Sequence, residues 1–280
     1  MKLAIIGDEI DQDLLSVIQT VKQANYTGIE VRSVWNTRPD ELTIDQLDSI
    51  KNQIKSSELE IIGFDSPVFK THIPTNELDF LNARTSFQKA VEQARKLDSK
   101  FVRVFSFFRE GDPNPVVAAK MVKEIIKDII PNDISVLVET GMKTNTPSMV
   151  DMLVFLETLE CENIGVLWDP GNTVYAGINP KPFPEDYEIG KEYIKHIHVK
   201  DPIGQIKYVN IGEGDLPWKK IVQQLLEDGY DGWFSLETHW RQDRILSQSV
   251  RDNPWYDEFS KGGKEASLQS MIEFASYFNE

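Results

Sequence analysis

The sequence predicts a (β/α)8 TIM barrel, and three observations carry that expectation. Eight short apolar, β-branched runs recur along the 280 residues, amphipathic segments of helical period separate them, and no Pro/Ser-rich linker or low-complexity tract divides the chain. Eight βα units in series imply a parallel sheet, and eight parallel strands can close on themselves. An open doubly wound sheet would need a phosphate-binding glycine turn after an early strand. The first turn, Gly7-Asp8-Glu9-Ile10-Asp11, has one glycine and three acids, which would repel a dinucleotide. The expected domain is therefore a single one, residues 1–280.

The expected strands are Leu3–Gly7, Gly28–Val34, Ile61–Asp65, Phe101–Phe107, Val136–Thr140, Ile164–Asp169, Ile194–Lys200 and Trp233–Thr238. Between them, apolar residues fall at i, i+3, i+4, i+7. Examples are Phe87, Ala90, Val91 and Ala94; Val122, Ile125, Ile126 and Ile129; Met149, Met152, Leu153 and Leu156; and Trp218, Ile221, Val222 and Leu225. Such stripes are helices laid against a sheet. A last helix is expected to start near Gly263 with Leu268, Met271, Ile272 and Ala275 on its buried face.

Composition narrows the function. With 40% hydrophobic residues the chain can bury a large core, and 30 Lys+Arg against 45 Asp+Glu leave a net charge of −15. That balance opposes binding to a phosphate backbone, so no nucleic-acid partner is expected. One cysteine, Cys161, excludes a disulfide framework, and no run approaches the ~20 apolar residues of a membrane helix. The opening MKLAIIGDEIDQD turns acidic too soon for a signal peptide. The expectation is a cytoplasmic enzyme with no membrane partner, its oligomeric state open and a homo-oligomer allowed.

In a barrel, ionisable residues at the C-terminal ends of strands are the ones to question, because active sites sit there. Four consecutive strands end this way, in Glu139, Asp169, His198 and Glu237, spaced 30, 29 and 39 residues apart. Each interval is about one βα unit, so the four can occupy one ring of the barrel mouth. Three carboxylates converging with an imidazole would repel one another strongly, and a divalent cation removes that objection. Three oxygens and one nitrogen suit Mn²⁺ or Zn²⁺, with Mg²⁺ and Co²⁺ also accommodated. Strand alternation turns His196 inward two residues deeper than His198, as a core or supporting histidine. Lys200 and His239 share the ligands' parity nearer the mouth and are candidates to meet substrate, as is His72 after the third strand.

At these residues the chain resembles the xylose isomerase-like TIM barrel superfamily, in its sugar-phosphate isomerase/epimerase branch. The matching segments are Val138-Glu139, Trp168-Asp169-Pro170-Gly171-Asn172, His196-Ile197-His198-Val199-Lys200-Asp201, Ile211-Gly212-Glu213-Gly214-Asp215 and Leu236-Glu237-Thr238. Fainter likeness runs back through Phe101-Val102-Arg103-Val104-Phe105 and Gly28-Ile29-Glu30-Val31-Arg32. The resemblance implies one divalent metal on Glu139, Asp169, His198 and Glu237, a small carbohydrate substrate, and Glu139 and Glu237 as the acid/base pair. A metal-stabilised enediolate would make the proton beside a ketose carbonyl removable, and a carboxylate on the opposite face would return it. Asn172 and Arg103 join the expected substrate contacts. Ketose 3-epimerases acting on free sugars resemble this chain but carry a histidine at the position of Asn172. An amide hydrogen-bonds but moves no proton, which shifts weight toward a phosphorylated or otherwise different substrate.

Other readings compete. The same chemistry serves a dehydratase of a keto-polyol such as an inosose. A non-catalytic sugar-binding barrel is a further alternative. An abasic-site endonuclease, which shares the superfamily, needs more histidines than the four present and is opposed by the charge. For a phosphorylated substrate, the expected anion site is Lys261 and Lys264 around Gly262-Gly263, at the start of the last helix.

Overall fold

In the computed structural model, which describes residues 2–179 and 181–278, all eight expected strands form. They are β1 (Leu3–Ile6), β2 (Gly28–Val31), β3 (Glu60–Asp65), β4 (Phe101–Val104), β5 (Ser135–Glu139), β6 (Ile164–Trp168), β7 (Ile194–Val199) and, last in the chain, β10 (Phe234–Leu236). They close in the order β1-β10-β7-β6-β5-β4-β3-β2, and every pair around the ring is parallel. Between β7 and β10 lies an antiparallel hairpin, β8 (Asp201–Ile203) and β9 (Lys207–Val209), that the sequence reading does not contain.

Several strands are shorter than their apolar runs. The run to Val34 ends as a strand at Val31 and the run to Phe107 ends at Val104, yet Val34, Phe105 and Phe107 are all buried. Loops folded over the barrel top cover them, so hydrophobicity outlasts the ladder.

The predicted helical stripes face the sheet. Phe87, Ala90, Val91 and Ala94 are buried on Glu77–Lys96, and Val122, Ile125 and Ile126 on Pro115–Ile126. Side-chain caps start these helices, with Asn76, Asn114 and Ser148 each accepting from a backbone N–H of the first turn. The last helix, Gly263–Ser276, starts where expected but buries a different face: Ala266, Ser267, Ser270, Met271 and Phe274 go inside, whereas Ile272 is 60% exposed. Two serines go inside because each has a partner, Ser267 Oγ donating to the Glu9 carbonyl at 3.0 Å and Ser270 Oγ to Asn210 Oδ1 at 2.8 Å.

Inside the barrel the layers differ in character. The floor is apolar, made by the clusters Ala4, Ile62, Trp233 and Phe101, Leu137, Leu167. Two glycines make room for its rings, since a Cβ on Gly28 would lie 2.5 Å from the Trp233 ring and one on Gly63 2.3 Å from that of Phe101. Above this floor the interior becomes ionic. Glu30, Asp65, Arg103, Glu139, Asp169, His196, His198 and Glu237 are all buried. Apolar below and charged above, the barrel places its chemistry at the C-terminal ends of the strands.

Candidate metal centre and active site

One ligand atom from each of Glu139, Asp169, His198 and Glu237 lies within 4.8 Å of the other three. Glu139 closes β5, His198 is one residue from the end of β7, and Asp169 and Glu237 directly follow β6 and β10. Asp169 has two tasks. Its Oδ1 accepts the Asn172 N–H at 2.9 Å, capping the short helix Pro170–Tyr175, which turns Oδ2 toward the cluster.

The donor set fits a cation. His198 Nδ1 is buried without a hydrogen-bond partner among the described residues, and Glu139 Oε2 and Asp169 Oδ2, also buried, make no well-aligned hydrogen bond although each faces a cation, Arg103 and Lys200. His198 Nδ1 points at Glu139 Oε1 from 3.8 Å and at Glu237 Oε2 from 3.5 Å, too far for a strong hydrogen bond. Its other nitrogen is engaged, with Nε2 3.0 Å from Glu30 Oε2. Burial disfavours a charged His198 ring, but Glu30, Glu139 and Glu237 outweigh it and raise its pKa well above the ordinary value. An imidazole in that field takes either a proton or a metal ion on Nδ1.

The carboxylates are held apart electrostatically by cations. Burial opposes ionisation of Glu139, yet Arg103 and His198 hold its carboxyl at about 2. Burial likewise opposes Glu237, and Lys200, His239 and Arg32 together keep it well below the carboxylate range. Asp169 is different: burial, aided by Glu139 and Glu237 and resisted by Lys200, lifts it to about 7. Two of the acids are thus set as bases at neutral pH, and the third is the one most in need of another positive charge.

Of the residues expected to meet substrate, four are in the mouth and one is not. Asn172 Nδ2 donates to Glu139 Oε1 at 2.8 Å and to the Thr140 carbonyl at 3.0 Å, while its Oδ1 accepts from Lys200 Nζ at 3.3 Å. Lys200, fully buried, also pairs with Asp169 Oδ2 at 2.8 Å and Glu237 Oε2 at 2.5 Å. Arg103 reaches Glu139 Oε2 at 3.1 Å. His239 contacts Glu9 Oε1 through Nδ1 at 2.6 Å and turns Nε2 toward Glu237 Oε1, 3.9 Å away. His72 is the exception. Its side chain is 74% exposed beside Glu110, and it lines an outer groove instead of the inner pocket. Its loop runs outward after β3, so position near a strand end did not carry it inward.

The anion site expected at Gly262-Gly263 is also corrected. Gly263 is buried against backbone, where a Cβ would lie 2.1 Å from the Glu9 carbonyl oxygen, and neither Lys261 nor Lys264 lines the pocket. The start of that helix packs on the first βα turn, and Lys261 and Gly262 are exposed away from the pocket.

A set of buried charges just after β1 and at the end of β2 went unread in the sequence. Asp8 binds Arg32 with both oxygens, at 2.6 and 2.9 Å, and Arg32 in turn contacts Glu237 Oε1. Glu9 holds His239 and accepts from Arg241 Nη1 at 3.2 Å. The acids of the first turn therefore anchor Arg32 and His239, which flank Glu237. Glu30 reaches both histidines of β7, at 2.7 Å from His196 Nε2 and 3.0 Å from His198 Nε2. The signal for Glu30 was its place in an otherwise apolar strand; the β2–β3 register shift between Ile29 and Glu30 hides its inward direction from simple alternation.

The motif around Gly212 also acquires a structural meaning. Asp201 accepts from the N–H groups of Gly212, Gly214 and Leu216 at 2.8, 3.0 and 3.2 Å, tying the turn after β9 to the residue that follows Lys200.

Residues 18–260 match the family model described as xylose isomerase-like TIM barrel. The chain belongs to that family. Among curated relatives, it is 26% identical over 180 residues to an uncharacterized protein of Methanocaldococcus jannaschii, a match that covers 58% of each chain. It is 29% identical over 119 residues to an inosose dehydratase of Clostridium botulinum, covering 35% of this chain and 37% of that one. The chain thus matches little more than half the length of the first and a third of the second. Among solved structures, the IolI protein with bound zinc superposes with a TM-score of 0.72 at 16% identity over 100% of both chains. An L-ribulose 3-epimerase does so at 0.71 and 14% identity, over 100% of this chain and 97% of its own. These two likenesses concern the fold. By name, the proteins this chain is similar to thus include a dehydratase and, in fold, an epimerase. Among the described residues no helix is long and apolar enough to cross a membrane.

Proposed function

We propose that this member is a metal-dependent isomerase or epimerase of a ketose or ketose derivative, with Glu139 and Glu237 as its acid/base pair. One observation carries the reading: two carboxylates held ionised, three strands apart around the ring, converge with Asp169 and His198 beneath a narrow pocket open to solvent. Glu139, Asp169, His198 and Glu237 would hold a divalent cation, Mn²⁺ or Zn²⁺ ahead of Mg²⁺ or Co²⁺. When bound, it supplies Lewis-acid stabilisation of negative charge growing on substrate oxygens.

The protein groups do the rest. One glutamate takes the proton from the carbon beside the carbonyl and the other gives a proton to the opposite face, inverting that carbon. Arg103 and Asn172 fix the attitude of Glu139; Lys200 and Arg32 do so for Glu237. Asn172 has both ends of its amide occupied and serves to orient, with no part in proton transfer.

The second reading, a dehydratase of a keto-polyol, is favoured by the inosose dehydratase relative and by His239. That imidazole lines the pocket beside Glu237, and its Nε2 faces the space where a hydroxyl would depart. Product mass separates the two. Incubation with a panel of ketoses and inososes should return an isomer of unchanged mass; a product lighter by one water would transfer the assignment to the dehydratase.

A further inference from the structure

We propose that the substrate carries an anionic group, a carboxylate or a phosphate, and that Lys70 binds it at the mouth of the barrel. This rests on the ketose reading above and adds the substrate class.

Six lysines and arginines line the mouth of the barrel. Arg32 pairs with Asp8 and Glu237, Arg103 with Glu139, Lys143 with Asp252 at 2.7 Å, and Lys200 with Asp169 and Glu237. Arg251 donates to Tyr175 Oη at 2.8 Å. Lys70 lines the same pocket, and among the described residues its ammonium has neither a carboxylate within ion-pair distance nor a hydrogen-bond acceptor. Its one contact is the Phe105 ring, 5.2 Å from Nζ to the centroid, and the Arg103 guanidinium lies 4.8 Å from the same centroid. A ring face offsets part of a cation's desolvation but none of the repulsion between two of them. An anion at the mouth would.

A chain with 45 acidic residues that leaves this one cation without a partner, in its pocket, has kept it for a ligand. The lysine is also well placed. Its loop is pinned to the end of β4, with Phe105 N–H donating to the Val68 carbonyl at 3.0 Å and Phe107 N–H to that of Phe69 at 2.9 Å. Burial, then Arg103, lowers its pKa to about 8, so the ammonium is charged at neutral pH. Lys70 also lines the outer groove, so the anionic end of a substrate would lie toward solvent while its carbonyl end reaches the carboxylates.

The test uses the full chain loaded with Mn²⁺ and reads binding, not turnover. Inorganic phosphate and glycolate are titrated by calorimetry into wild type, Lys70→Gln and Lys70→Arg, with Mn²⁺ affinity measured alongside. Lys70→Gln should bind the anions about tenfold or more weakly at unchanged Mn²⁺ affinity, and Lys70→Arg should keep most of the affinity. Stronger retention of phosphate points to a sugar phosphate, and of glycolate to a sugar acid. A second measurement needs no variant. In wild type, phosphate should slow reductive methylation of Lys70 and leave Lys261 unaffected. Equal anion binding by Lys70→Gln and wild type, or no protection of Lys70, overturns the proposal. Because neither readout involves catalysis, a failure to process any ketose would count against the proposed reaction alone.

Discussion

Glu30 Oε2 lies 3.0 Å from His198 Nε2, and this contact decides which nitrogen of the ring faces the carboxylates. A carboxylate accepts only, so Nε2 carries the hydrogen and Nδ1 presents its lone pair to Glu139, Asp169 and Glu237. Partners of this kind fix ligand orientation and raise its basicity. Glu30→Gln should therefore lower Mn²⁺ affinity by about 10–100-fold, read by competition with a metal indicator. Wild-type affinity in this variant would mean that the ring is oriented by something else.

The two histidines of β7 should separate cleanly. His198→Ala removes the nitrogen that faces the acids and should leave protein that loses its metal on dialysis. His196 touches Glu30 and the Phe101 ring, at 4.7 Å between centroids, so His196→Ala should cost stability and retain most of the metal. Equal metal loss from both would make His196 a ligand in its own right.

Lys200 shares Asp169 and Glu237 with any bound cation. Lys200→Met leaves two buried carboxylates short of a positive charge, a change that costs about 3–5 kcal/mol in comparable settings. In chelator its melting temperature should fall by about 5–10 °C, and saturating Mn²⁺ should recover more than half of the loss. A loss of the same size with and without Mn²⁺ would show that Lys200 stabilises the fold by packing alone.

Asp201 supplies a pH test. Burial raises its pKa to about 6, against the three N–H groups that favour the carboxylate. The folded state thus binds a proton between pH 4 and 6 that the unfolded chain has released. Stability from this group is full below about pH 4 and is lost as pH rises through 6. Asp201→Asn has no such proton. Whatever its offset, its stability relative to wild type should improve by about 2–3 kcal/mol from pH 4 to pH 7, followed by denaturant unfolding across that range. A difference independent of pH would show that Asp201 titrates normally.

Much of the fold was legible because the barrel repeats one simple unit. Every run of apolar, β-branched residues became a strand, and Glu139, Asp169, His198 and Glu237 could be found from strand ends alone. The hairpin β8–β9 escaped because its strands have three residues each and turn at Gly204, where φ is +50°. Glu30 escaped at a register shift, and Asp8 and Glu9 looked like a reason to exclude a cofactor, whereas they hold Arg32 and His239 in place. The buried face of the last helix was misread because Ser267 and Ser270 are satisfied by partners distant in sequence. Lys70 was invisible for the opposite reason: what marks it is a missing partner, and only three dimensions show that.

The central claim is that Glu139 and Glu237 move a proton at a carbon beside a carbonyl. Its most direct test is deuterium uptake from D₂O into ketoses and ketose phosphates by the Mn²⁺-loaded protein, followed by NMR or mass spectrometry, with Glu139→Gln and Glu237→Gln in parallel. An amide keeps an oxygen for the cation but cannot act as a base. The account predicts uptake at one carbon by the wild type, and a fall of about 10²-fold or more in each variant, larger than its loss of Mn²⁺ affinity. Uptake by either variant at near wild-type rate, with metal bound and the barrel folded, would contradict it.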